Sequence, residues 1–218
     1  AEDMPFNNTV ILGGYTKDKL KLSIGHDHAR VIEVIPQSIV TKHSICPVTV
    51  KNGVFVPDAE EDLLKLAVIE RHRGSGQVGI GIVKGFELKK GAIATTIAHD
   101  SHNIICLGAS DEDMDLAIRH LEATGGGIAV AEGGKIIASL DLPIGGLMTA
   151  VSPGQLNADY EKLAHAIEGL GITKAFSPLL TLSFLALPVI PSLKLTNKGL
   201  FDVERFEFVQ VGVERNCL

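Results

Sequence analysis

Residues 91–137 read GAIATTIAHDSHNIICLGASDEDMDLAIRHLEATGGGIAVAEGGKII, and the order of elements within them decides the fold. GAIATTIA and NIICLGAS are apolar, β-branched runs on either side of a polar tip from Asp100 to Asn103, the pattern of two strands joined by a turn. Ser110 then sits where a helix N-cap belongs, with Asp113 three residues on. Met114, Ala117, Ile118 and Leu121 share one helical face, and Gly125 stands where a left-handed residue ends a helix. GIAVAEGGKIIASLDLP follows as a hairpin turning at Gly133-Gly134.

Working outward, Ser152-Pro153 with Gln155 as a capping-box partner opens a second helix. Its apolar positions are Leu156, Tyr160, Leu163, Ala164, Ile167 and Leu170, and Gly171 closes it. LLKLAVIERH, from Leu63, reads as a buried strand. Strand, strand, helix, strand, strand, helix predicts an α+β domain with a mostly antiparallel sheet and helices packed on one face. Before it, NNTVILGG, KLKLSIG, ARVIEVIP, CPVTVKNG and VFVPD are strand signals at short spacing, and Asn52-Gly53 is a hairpin signal. These predict a small β unit over 1–60, with the acidic stretch Asp58 to Asp62 as linker, ahead of an α+β domain over 61–218.

Composition narrows the function. The chain has 218 residues, 45% hydrophobic and 21% charged, which suffices for a sizeable core. A net charge of -6, only 5% aromatics and no basic stripe beyond Glu70-Arg71-His72-Arg73 argue against a nucleic-acid partner. The apolar run at 179–190 is broken by Ser183 and Pro188 and is shorter than the roughly 20 residues that cross a bilayer, so no membrane partner is expected. Three scattered cysteines, Cys46, Cys106 and Cys217, form neither a disulfide framework nor a metal knuckle and suit a reducing cytoplasm. The start, Ala-Glu-Asp-Met-Pro-Phe, lacks an initiating Met and suggests a processed or truncated end.

The chemistry concentrates in His99, Asp100, Ser101, His102 and Asn103. On a regular strand His99 and Ser101 face away from Asp100 and His102, so one metal site from all four is awkward. A tight turn lets His99 and His102 flank an entry point while Asp100 orients an imidazole, for ligation or proton transfer. Alternatively Asp100, Ser101 and Asn103 simply cap the turn through side-chain to backbone bonds. His26 and His28 form a His-x-His pair without a third ligand nearby, which reads as a solvated turn. Glu70, Arg71 and His72 open into glycine-rich backbone at Gly74, Gly76, Gly79, Gly81 and Gly85, either an anion contact or a place of close packing. Gly74, Gly76 and Gly79 match GxGxxG but lack the βαβ frame of a dinucleotide site.

Taken together, VIERHRGSGQVGIGIVKGFELKKGAIATTIAHDSHNIICLGASDEDM, GGGIAV, LPIGGLM and TLSFLALPVIPSLKLTNKGL resemble, in order, the carboxy-terminal part of bacterial and archaeal adenine deaminase. The resemblance runs from about Ala29 to Val203, and ARVIEVIPQSIVTKH is similar to the return of that family's small β domain after its barrel. It implies the amidohydrolase superfamily and hydrolysis of adenine to hypoxanthine and ammonia. A hydroxide activated by divalent Mn or Fe would attack inside a (β/α)₈ barrel that precedes Ala1, so no cofactor is expected on these residues. His99, Asp100, Ser101, His102 and Asn103 are then expected to meet an active site, with Glu70, Arg71 and His72 holding the hairpin; His99 and His102 are the weak candidates for a metal. The expected partners are the catalytic barrel, adenine and further copies in a homo-oligomer, the isolated chain being inactive. A free-standing purine sensor and an independent metal hydrolase using His99, Asp100, His102 and His72 remain the alternatives.

Overall fold

The central strands that follow Leu64 bury side chains on both of their faces. In the computed structural model, which describes residues 7–214, β5 (Leu64–Ile69) is buried along its whole length. β6 (Val78–Lys84), β7 (Ala92–Thr95), β8 (Ile104–Gly108), β9 (Gly127–Glu132) and β10 (Lys135–Asp141) join it in the order β10-β9-β7-β8-β5-β6. Every pairing within this run is antiparallel. β1 (His28–Val34) extends the same sheet by a short parallel pairing with β6, Val31 opposite Ile82. β2 (Thr41–Pro47) pairs with β1 along seven residues, so strands from both sides of residue 60 share one sheet. The turn between them ends at Asp62, whose carboxylate accepts from the N–H groups of Gly85 and Glu87 at 2.5 and 2.7 Å. β3 (Val50–Lys51) and β4 (Val54–Phe55) form the hairpin expected at Asn52-Gly53, with φ of 53° and 77° at the two turn residues.

Alternate side chains of the central strands point to opposite sides, and the two sides differ in size. Ala67, Ala92, Ala94, Cys106, Ala129 and Ala131 form a shallow surface that takes α1 (Asp111–Thr124) through Met114, Ala117, Ile118 and Leu121. The approach is close: a Cβ on Gly108 would lie 2.3 Å from Met114 Cγ. Leu66, Val68, Ile93, Ile105, Leu107 and Val130 form the opposite surface, covered by α2 (Pro153–Gly169) and α3 (Pro178–Phe184). The α+β class and the mostly antiparallel sheet are as expected, but the helices cover both faces rather than one. The reason is that β5, β7, β8 and β9 are buried along nearly their whole length, which leaves no side of the central sheet for solvent.

The helix signals hold at α1, where Ser110 Oγ accepts from Asp113 N–H and Gly125 closes at φ 81°. At α2, Ser152 caps Gln155 N–H as expected, but the Gln155 amide donates to Asp159 instead of returning to the cap. Two expected strands do not form. Val10 and Leu12 instead tuck beneath α1, and Lys17–Leu20 is a 3₁₀ turn. A small layer of β11 (Leu193–Thr196), β12 (Gly199–Asp202) and β13 (Glu207–Phe208) packs over β6, and β14 (Gly212–Val213) pairs with the start of β1. Among the described residues no helix is long and apolar enough to cross a membrane.

Candidate functional site

β5, β7 and β10 finish at one end of the sheet, where β6, β8 and β9 begin, and the candidate residues gather there. Glu70 follows β5 directly. Its carboxylate turns back into the glycine-rich turn, with Oε1 accepting from His72 and Arg73 N–H at 2.6 and 2.8 Å and Oε2 accepting from the Ser75 N–H and hydroxyl at 3.0 and 2.8 Å. Burial opposes its ionisation, but the Ser75, Arg73 and His72 donors prevail and hold the carboxyl at about 2. The donors of this turn are therefore taken up by the chain's own carboxylate. Close packing holds as well, since a Cβ on Gly76 would meet Gly14 C at 2.4 Å and one on Gly79 would meet Thr196 O at 1.8 Å.

Arg71 is 1% exposed and makes no ion pair among the described residues. Its guanidinium instead ties three segments: Nε donates to the His102 carbonyl at 2.5 Å, Nη1 to the Thr9 carbonyl and hydroxyl at 3.2 Å each, and Nη2 to the Gly145 carbonyl at 3.0 Å. Burial lowers its pKa, as it must for a cation whose partners are neutral dipoles. His72 adds a tether from outside. Its Nε2 donates to the Ser101 carbonyl at 2.8 Å, and because a carbonyl only accepts, the proton sits on Nε2. Arg71 and His72 thus contact the hairpin loop, while Glu70 reaches only its own turn.

The loop they hold closes in part through its own polar groups. Ser101 Oγ accepts from Asn103 N–H at 3.3 Å and His102 N–H donates to the Ala98 carbonyl at 2.7 Å, so part of the polarity closes the turn. His102 has φ 48°, and its Nδ1 faces Ala98 N–H at 3.4 Å. Burial, with the His99 and Arg71 charges, lowers the His102 pKa against the pull of Asp100. His99 stacks on Phe184 at 4.6 Å between ring centroids, 6.1 Å from the His102 ring. Asp100 and Ser101 are exposed and border an open groove of about 490 Å³ walled by Leu187, Pro188, Val189 and Phe208. Asn103 points inward and donates to Asn197 Oδ1 at 3.4 Å, while its own Oδ1 is buried without a partner among the described residues.

Several contributors carry no periodic signal and were missed from the sequence. Asn197 and Lys198, on the β11–β12 turn, reach this end because Gly79 lets Thr196 approach. The loop 142–148 is pinned by Thr96, whose hydroxyl donates to the Gly146 carbonyl at 2.5 Å, and its turn uses the glycine pair Gly145-Gly146 at φ 67° and 74°.

The set can present imidazole, carboxylate, hydroxyl and amide groups to a neighbour and relay protons between them. It does not fit a resident metal. His102 Nδ1 is engaged with the backbone, and among the described residues no group of three or more His, Cys, Asp or Glu is placed to hold an ion. His26 and His28 likewise gain no third ligand. Cys106 is buried with its thiol pushed far up by desolvation and nearby carboxylates, hence inert.

Comparison with known proteins matches residues 38–207 to the family described as adenine deaminase C-terminal domain. An adenine deaminase of Halalkalibacterium halodurans is 53% identical over 199 residues, covering 91% of this chain and 34% of the relative. One from Listeria monocytogenes is 50% identical over 94% of this chain and 35% of its own length. The protein named adenine deaminase 2 of Carboxydothermus hydrogenoformans is 45% identical over 98% of this chain and 37% of its own. The chain thus spans about a third of the length of these relatives.

Proposed function

The chain belongs to the adenine deaminase C-terminal domain family, and from that membership we propose that it is the C-terminal portion of an enzyme converting adenine and water to hypoxanthine and ammonia. In this reading its task is to present the loop His99–Asn103 to a purine site built mainly by the rest of the enzyme. The observation that carries it is the tethering of that loop by Arg71 and His72, which leaves Asp100, Ser101 and the edge of His99 facing outward. A loop that only closed a hairpin has no need of a buried guanidinium bridging three segments, because burying an unpaired cation is costly.

The groups so held suit adenine. Asp100 and His99 can accept from the exocyclic amine, Ser101 can donate to a ring nitrogen, and His99 can hold the proton that the leaving amine needs. A divalent Mn or Fe would polarise the attacking water, and its ligands belong in this reading to the preceding catalytic barrel. Cys46 and Cys106 are free thiols, in keeping with a cytoplasmic enzyme. Homo-oligomerisation, to be read from the mass of the native enzyme, completes the proposal.

The test mixes this chain with the separately produced remainder of the enzyme and follows hypoxanthine. Either part alone should be inactive and the mixture active. Turnover by this chain alone, or failure of the mixture to associate under any metal condition, would overturn the proposal.

A further inference from the structure

The apolar stripe of α2 outruns the surface it packs on. Leu163 and Ile167 are buried, but Tyr160, on the same face two turns toward the N-terminus of Ile167, is 50% exposed, and Leu156 is only half-buried. The cause is the edge of the sheet, for β10 is its last strand and nothing in the described chain continues beneath the helix's first turns. What remains is an open groove of about 410 Å³ between strand and helix, lined by Leu140, Leu142, Pro153, Leu156, Asn157 and Tyr160. The loop joining Leu142 to Pro153 prolongs it with Leu147, Met148 and Val151, which are 36%, 59% and 47% exposed. Single exposed apolar side chains are ordinary, but a contiguous set beside an uncharged groove marks a contact surface.

This surface is held firmly. The Gly145 carbonyl is bound by Arg71, the Gly146 carbonyl by Thr96, and Ile144 and Met148 exchange backbone hydrogen bonds. The same guanidinium binds the carbonyl of Thr9, and Asn8 donates to the Glu122 carbonyl beside Gly125, which packs on Pro143. The polypeptide therefore enters the domain next to this loop, and the relatives carry about two thirds of their length outside the matched region. A segment tethered that close meets the groove at high effective concentration.

We infer that the groove between β10 and α2 seats a segment of the catalytic portion that precedes this domain, presenting Leu, Ile, Phe or Met side chains to Tyr160 and Leu156. The inference rests on the reading of the chain as the C-terminal portion of a larger deaminase. Seating there fixes the domain beside its entry point and aims the His99–Asn103 loop at the neighbouring site.

The experiment places the photo-crosslinker p-benzoylphenylalanine at Tyr160 in the full-length enzyme, with the same replacement at Leu180, 57% exposed on α3, as control. Illumination should link position 160 to peptides of the preceding portion within one polypeptide, and the control should yield at least ten-fold less of those products. Products confined to this domain, products joining two copies of it, or equal yield from the control would each overturn the inference. Adenine deamination by the same preparation is measured separately. An active enzyme without the crosslink removes the docking surface and spares the deaminase reading, whereas the crosslink in an enzyme that makes no hypoxanthine removes that reading and leaves the surface standing.

Discussion

Glu70 and Arg71 are neighbours in sequence whose side chains do opposite things. The carboxylate collects donors within its own turn, and the guanidinium collects carbonyls from elsewhere. Pairing them with each other would have left the turn 72–75 without its acceptor and the loop 96–103 without its tether. Glu70→Gln should cost about 2 kcal/mol near neutral pH, because the amide nitrogen meets N–H groups where an acceptor is needed. The pH profile gives the check. Glu70 is held at about 2 against an ordinary 4.5, so its contribution is complete above the unfolded value and disappears as pH falls through the folded one. Urea midpoints of the two proteins should accordingly differ at pH 7 and converge between about pH 4.5 and 2, and a gap unchanged at pH 3 would show that the loss is not of this carboxylate. The residue types at 70–72 did point to this turn, but direction was not legible, since nothing in Glu-Arg-His says which side chain folds back.

The same division holds for elements. Hairpins at Asn52-Gly53 and Gly133-Gly134 and the caps of α1 were legible because local backbone geometry decides them. The side of the sheet on which each helix lies was not, because Ala and Gly alternate with Leu, Ile and Val inside mostly apolar central strands, and size more than polarity separates the faces. Val10 and Leu12 show the converse, a β-like pattern that packs beneath a helix without pairing. Glycine spacing along β6 carries similar hidden information. A Cβ at Gly79 would fall 1.8 Å from the Thr196 carbonyl, while one at Gly81 would touch Leu195 Cδ1 at 3.4 Å, an ordinary contact. Gly79→Ala should destabilise by about 3 kcal/mol or more by forcing β11 and the Asn197 turn away from the site. Gly81→Ala should stay within about 0.5 kcal/mol of the parent. Equal effects on the thermal midpoint would mean that the close approach of β6 to Thr196 is not a constraint.

The eight histidines are dispersed along the chain, and His72, His99 and His102 come together at the His99–Asn103 loop. Their nitrogens serve the backbone there: His72 Nε2 is bound to the Ser101 carbonyl and His102 Nδ1 faces Ala98 N–H. A metal arriving at His99 would have to break the Ala98 contact to recruit His102, and among the described residues no group of three or more His, Cys, Asp or Glu is placed to complete a site. The resemblance in sequence made the family legible, and with it the expectation of metal chemistry on a preceding barrel and of no metal on these residues. The purified 218-residue chain should accordingly hold less than about a tenth of an equivalent of Mn, Fe or Zn, because a competent site needs three or so fixed ligands. Its thermal midpoint should also be unmoved by chelation, since an ion bound only to the folded state would raise that midpoint by mass action. A chelator-sensitive midpoint, restored by one equivalent of a divalent ion and abolished by His99→Ala, would place a metal within these residues and turn the domain from a presenter of side chains into a centre of its own.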